Sequence, residues 1–117
     1  MEKKMDSKTF VDKIYAILSD HKAEDIVVLN VKERSSVADY FIIASGRSMT
    51  HTRSLCEHVE EELDKEGVAP LRREGVREGR WCVLDYGDVL VHLFNDETRL
   101  FYHLEQLWEE EKSKNKN

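Results

Sequence analysis

The sequence predicts an α/β domain of the α+β kind: a mixed β-sheet of about five strands flanked by helices. Three observations predict it. Segments with apolar residues at helical spacing are interspersed with short runs rich in β-branched and aromatic residues. One of those runs, Tyr40 to Ser45, is apolar on both faces, as a central strand must be. Gly87 joins two further runs back to back, as an antiparallel hairpin requires.

From Ser7 to about His21, Phe10, Val11, Ile14, Ile17 and Leu18 fall on one stripe, and Asp6 or Ser7 can cap this first helix. Asp25 to Val31 and Tyr40 to Ser45 are predicted strands. Ser48 or Thr50 opens a helix running to about Glu66, with Leu55, Val59 and Leu63 on one side and Gly67 just past its end. The segment 68–80 contains the only proline, Pro70, together with Gly75 and Gly79, and is expected to form a short strand plus a loop, the part of the chain that moves most. Arg80 to Tyr86 and Asp88 to Phe94 are the hairpin strands. Asn95 or Asp96 then caps a last helix with Leu100, Leu104, Leu107 and Trp108 on one stripe, and a charged tail follows from Glu109. With 117 residues, no internal repeat and no linker, the expectation is one domain over 1–117.

Composition narrows function. An apolar share of 40% and a charged share of 36% fit a globular chain with a solvated exterior, and no apolar run is long enough to cross a bilayer. The start, Met1 to Asp6, lacks the apolar block of a signal peptide, so the expected compartment is the cytoplasm. A net charge of -6 argues against nucleic-acid binding through the whole surface, which depends on neutralising phosphates. Arg72, Arg73, Arg77 and Arg80 form a basic stretch diluted by Glu74 and Glu78; a solvated loop is the first reading, contact with RNA or a carboxylate surface the second. Cys56 and Cys82 read as small core residues, and His51 and His58, on one side of the middle helix, as surface histidines without a third zinc ligand.

Period-two parity divides the hairpin. Cys82, Leu84, Val89, Val91 and Leu93 supply an apolar face. Trp81, Val83, Asp85, Leu90, His92 and Phe94 share the other, an exposed mixture of aromatic anchors and oriented polar groups of the kind found at interface centres, unless the last helix covers it. Asp85 and Asp88 flank the turn, where Asp is common because its side chain bonds nearby amides, and no third carboxylate joins them for metal or acid-base work. Ser45-Gly46-Arg47-Ser48, where a strand enters a helix, could hold a phosphate on helix amides and resembles the opening element of nucleotidyltransferases. The aspartate pair that such enzymes need is missing from Val68 to Gly75.

The ordered set Asp25 to Val31, Ser35-Ser-Val-Ala-Asp39-Tyr-Phe-Ile-Ile-Ala-Ser-Gly46, Trp81 with Asp85-Tyr-Gly-Asp88-Val-Leu-Val-His92, and Arg99 with Tyr102-His-Leu-Glu105-Gln-Leu-Trp108 resembles the ribosomal silencing factor family, the iojap-like proteins, over a core of about 7–108, with 109–117 as the polar tail. The resemblance implies a nucleotidyltransferase-like topology without catalytic carboxylates, no cofactor and no metal. It further implies binding to the large ribosomal subunit through its protein fourteen, a block on subunit joining when nutrients are short, and a possible homodimer, with no membrane and no sequence-specific nucleic acid. The residues assigned to the partner are Trp81, Asp85, Tyr86, Asp88, His92, Arg99, Tyr102 and Glu105. Two alternatives stand beside this: a nucleotide-binding or nucleotidyltransferase-like enzyme using Gly46 and Asp85 or Asp88, and a large-subunit assembly factor.

Overall fold

A computed structural model of the chain describes residues 6–33, 36 and 38–95. The predicted last helix, with Arg99, Tyr102 and Glu105, lies outside the described residues.

Helix α1 spans Ser7–Asp20 and begins where Asp6 accepts a hydrogen bond from the Thr9 amide at 2.8 Å, a bond that also holds the Asp6 carboxyl below its ordinary range. Its stripe of Phe10, Val11, Ile14, Ile17 and Leu18 is buried, as the spacing predicts. Strand β1 covers Glu24–Asn30, with an irregularity between Glu24 and Val27 where Asp25 takes a φ of 50°. Strand β2 covers Tyr40–Gly46. Helix α2, Met49–Asp64, is capped by Ser48, whose hydroxyl accepts from the His51 amide at 3.0 Å. It stops at Gly67, whose φ of 78° turns the chain so that the Val68 amide donates back to the Leu63 carbonyl at 3.0 Å.

Strands β3 (Arg72–Glu74), β4 (Trp81–Asp85) and β5 (Val89–Asn95) complete a five-stranded sheet of order β1-β2-β5-β4-β3. β2 and β5 run parallel, and every other neighbouring pair runs antiparallel. β2 therefore has a hydrogen-bonded neighbour at each edge, and its side chains are buried on both faces, as their apolar character predicts. The segment after α2 is tied down at several points: the Leu71 amide donates to Asp85 at 2.6 Å, Gly79 to Gly75 at 3.0 Å, and the Arg53 guanidinium to the Arg77 carbonyl at 3.2 Å.

Both helices contribute to one core with Ile42, Ala44, Cys82, Leu84, Val89, Val91 and Leu93 from the sheet. Each wholly buried Leu, Ile or Val there contributes roughly 1.5–3 kcal/mol through apolar burial. No described helix is long and apolar enough to cross a membrane.

Candidate functional site

The hairpin between β4 and β5 presents most of the described residues singled out in the sequence. Its register pairs Trp81 with Phe94, Val83 with His92 and Asp85 with Leu90, so these six share one face and the predicted parity holds. The same face continues into β2 through Phe41, Ile43 and Ser45.

Of the two readings of that face, exposed or covered, its burial supports the second. Ile43 and Phe94 have no accessible surface, and Leu90, Asp85 and His92 retain 9% each. A sheet interior that is apolar on both sides must be covered on both to keep such side chains from water. Trp81, at the end of β4, remains half-buried.

Its indole lies nearly parallel to the Phe94 ring, with centroids 5.1 Å apart, and its N–H donates to His92 Nδ1 at 3.1 Å. An indole N–H can only donate, so Nδ1 accepts and the neutral imidazole carries its proton on Nε2. That nitrogen is buried and has no hydrogen-bond partner among the described residues. Burial lowers the His92 pKa to about 4, because a charged ring would lose its hydration there.

The two turn aspartates differ in role. Asp85 is buried, accepting from the Gly87 amide at 2.8 Å and from Arg72 Nε at 3.4 Å. Gly87 has a φ of 88°, a backbone conformation a residue with a Cβ adopts only with strain. Asp88 is exposed, and its carbonyl accepts from the amides of Asp39 at 2.7 Å and Tyr40 at 3.1 Å, fixing the turn against the start of β2. This brings in Asp39, which accepts from the Ser7 hydroxyl at 2.7 Å and which sequence reasoning did not single out for the site. The pairing of parallel strands distant in sequence places it there, and no local pattern announces that pairing.

Tyr86 points elsewhere. Its ring meets Phe10 edge-on at 5.3 Å and packs against the helix-side core, with its hydroxyl buried and without a partner among the described residues; burial pushes its phenol above the ordinary range. The structure thus brings Trp81, Asp85 and His92 onto one face, puts Asp88 at the adjoining turn, and sets Tyr86 on the opposite side.

Two of the amides around Ser45-Gly46-Arg47-Ser48, read as a possible phosphate cradle, already have side-chain partners. Arg47 N–H donates to His51 Nδ1 at 3.0 Å and His51 N–H to Ser48 Oγ. A Cβ on Gly46 would meet Thr52 Oγ1 at 2.5 Å, so helix α2 itself fills the space that this glycine leaves. Among the described residues no three His, Cys, Asp or Glu side chains are placed to hold a metal ion.

The histidines expected at the surface are half-buried instead: His58 stacks on His21 at 3.6 Å and His51 Nε2 lies 3.0 Å from the His21 carbonyl, joining the end of α1 to α2. Cys56 and Cys82 are buried core residues, as expected, with their thiols in hydrogen-bonding reach of each other. That bond raises the Cys56 thiol pKa and lowers that of Cys82.

The family model described as "Ribosomal silencing factor during starvation" matches residues 4–117. The chain is 36% identical over 104 residues to ribosomal silencing factor RsfS of Bacillus subtilis, covering 89% of this chain and 88% of that one. It is 30% identical over 105 residues to mouse mitochondrial assembly of ribosomal large subunit protein 1, covering 87% of this chain and 46% of the mouse protein. A crystal structure of a Chromobacterium violaceum protein superposes with a TM-score of 0.86 at 30% identity, covering 90% of this chain and 88% of that one. A Bacillus halodurans crystal structure superposes with a TM-score of 0.80 at 32% identity, covering 87% and 95%.

Proposed function

This chain belongs to the ribosomal silencing factor family, and on that premise we propose that it represses translation by steric exclusion. It binds the large ribosomal subunit in the cytoplasm through the subunit's protein fourteen and occupies surface the small subunit must reach. No covalent step is needed. A bound domain in the joining surface lowers the fraction of joined ribosomes in proportion to its occupancy, which affinity and concentration set.

The observation that carries the assignment to one surface is the β4–β5 hairpin, with Asp88 at its turn and Trp81 at its open end. The exposed Asp88 and half-buried Trp81 lie on a sheet region whose turn is fixed by Asp85, Gly87 and Asp39. An exposed carboxylate at the turn and an aromatic anchor at the open end of one rigid hairpin suit a basic ribosomal protein, since charge complementarity steers encounter and a desolvated ring supplies affinity. His92 and Asp85 hold that support from below; Arg99, Tyr102 and Glu105 are assigned to the partner with them, and Tyr86 braces the turn from the helix side. A partner interface of about 800 Å² per side is within reach of a domain this small, in one copy or as a homodimer.

Sedimentation with separated subunits tests this. The protein is expected to migrate with large subunits alone and to reduce their joining with small subunits. Asp88→Lys is expected to weaken that co-migration tenfold or more while leaving the far-ultraviolet circular dichroism unchanged. Undiminished binding by Asp88→Lys removes the hairpin from the interface.

A role in large-subunit assembly is a second reading, favoured by the name of the mouse relative. It predicts precursor particles accumulating on deletion, whereas silencing predicts normal subunits that join too readily during starvation.

A further inference from the structure

The sheet is electrically polarised along its strands. One end, where β4 closes and β2 and β5 begin, carries Asp39, Asp85 and Asp88 against a single arginine, Arg72, bonded to Asp85. At the other, where β2 and β5 finish at Gly46 and Asn95, four arginines gather: Arg47, Arg53, Arg77 and Arg80. Several contacts bring them together. Gly46 pairs with Asn95, whose amide donates to the Arg80 carbonyl at 3.1 Å. Arg53 Nη1 donates to the Arg77 carbonyl at 3.2 Å, and Gly79 sits against the Met49 carbonyl so closely that no Cβ would fit between them. The loop bearing Arg77 and Arg80 is therefore seated on the first turn of α2 and on β5.

Arg47 is paired with Glu24 at 3.2 Å, but no described carboxylate pairs with Arg77 or Arg80, and both are exposed. The contrast with Arg72 and Arg73 is informative, because those two are engaged by Asp85 and Glu60. Among the described residues Arg77 and Arg80 have no carboxylate partner, and with Arg47 and Arg53 they outnumber Glu24 and Glu78 at this end, which defines a local positive rim in a chain of net charge -6. Guanidinium groups match phosphate oxygens in geometry and lose little hydration on binding them.

We propose that this arginine rim docks on the phosphate backbone of large-subunit ribosomal RNA while the acidic hairpin end engages ribosomal protein. The proposal rests on the ribosome-binding reading above and extends it to a second contact. Seven residues of β5 separate the two ends by roughly 20 Å at the usual strand rise. A standard interface of about 800 Å² per side measures about 30 Å across, so both contacts fit within one footprint. A ribosomal surface offers both partners side by side, and a polarised protein can bind such a boundary in only one orientation.

The test compares the wild-type chain with Arg77→Glu/Arg80→Glu in co-sedimentation with purified large subunits across a series of salt concentrations, followed by short-wave ultraviolet cross-linking. Wild-type affinity is expected to fall steeply with salt, and the double variant to bind tenfold or more weakly at 0.1 M salt. Its logarithmic salt slope should be smaller by about 0.7–0.9 for each phosphate that the variant no longer neutralises. The wild-type chain should cross-link to RNA, and the variant should form little of that product. Equal affinity and slope for the two proteins overturns the rim, as does cross-linking that yields only ribosomal protein. If the wild-type chain does not sediment with large subunits at all, the ribosome-binding reading itself fails, and this contact with it.

Discussion

At the scale of single residues, the buried face divides structural from contact roles by hydrogen bonding. His92 accepts from Trp81 and is buried where a charged ring would lose its hydration, so it is a neutral support for the indole. In the unfolded chain an ordinary imidazole takes a proton near 6.5, whereas in the fold it does so only near 4. Between those values the unfolded chain holds a proton that the folded one refuses. The His92 contribution to stability is therefore full above about pH 6.5, declines as pH falls through that window, and is spent below about 4. The whole step is worth about 3 kcal/mol. His92→Gln keeps an acceptor for the indole but does not titrate, so denaturant unfolding at several pH values should show that its stability lacks most of this decline. A wild-type slope retained by the variant would assign the effect to another group. The turn aspartates give a parallel contrast. Asp85→Ala strands the Gly87 amide and Arg72 and should cost about 1–2 kcal/mol in urea unfolding, while Asp88→Ala, at an exposed side chain, should stay within about 0.5 kcal/mol.

At the scale of elements, helix α2 shows how closely a sequence signal and a packing demand can coincide. Gly67 ends the helix with a φ of 78° and open space around it, so Gly67→Ala should cost only about 1 kcal/mol, the strain of a left-handed residue. Gly46 precedes the helix, and a Cβ there would meet Thr52 Oγ1 at 2.5 Å, its amide nitrogen at 2.7 Å and its Cα at 2.9 Å. Two of those atoms are backbone, so the helix must shift, and Gly46→Ala should cost about 2–3 kcal/mol. Thermal or urea unfolding of the two variants side by side checks the order. Local chemistry of this kind is what made the elements legible: caps at Asp6 and Ser48, the stop at Gly67 and the turn at Gly87 stand in the sequence where the structure has them. Alternation likewise sorted the faces of β4 and β5 correctly. Neither signal reaches across the chain. The parallel pairing of β2 with β5, which brings Asp39 to the Asp88 turn, is set by long-range packing that period-two patterns do not encode. The choice between an exposed and a covered Trp81 face stayed open, and the His21–His58 stack escaped, for the same reason, since a residue pattern shows which side chains share a side and not what covers them.

At the scale of the whole molecule, the proposed mechanism makes a kinetic claim that distinguishes a wedge from an active splitter. If the chain binds only surface that the small subunit covers, it cannot engage a joined ribosome and must wait for the subunits to part. Added in excess to preformed joined ribosomes, it should deplete them at the rate of their spontaneous dissociation. That rate should become independent of protein concentration once every freed large subunit is captured. Mixed with free subunits before joining, the same amount should act within the time of binding itself, and raising the small-subunit concentration should restore joining by competition. Light scattering follows both regimes in one instrument. A depletion rate that keeps rising with protein concentration would mean that the chain attacks the joined particle directly. Its binding surface would then have to lie partly outside the subunit junction, and simple exclusion would no longer describe how a domain of 117 residues controls a particle many times its mass.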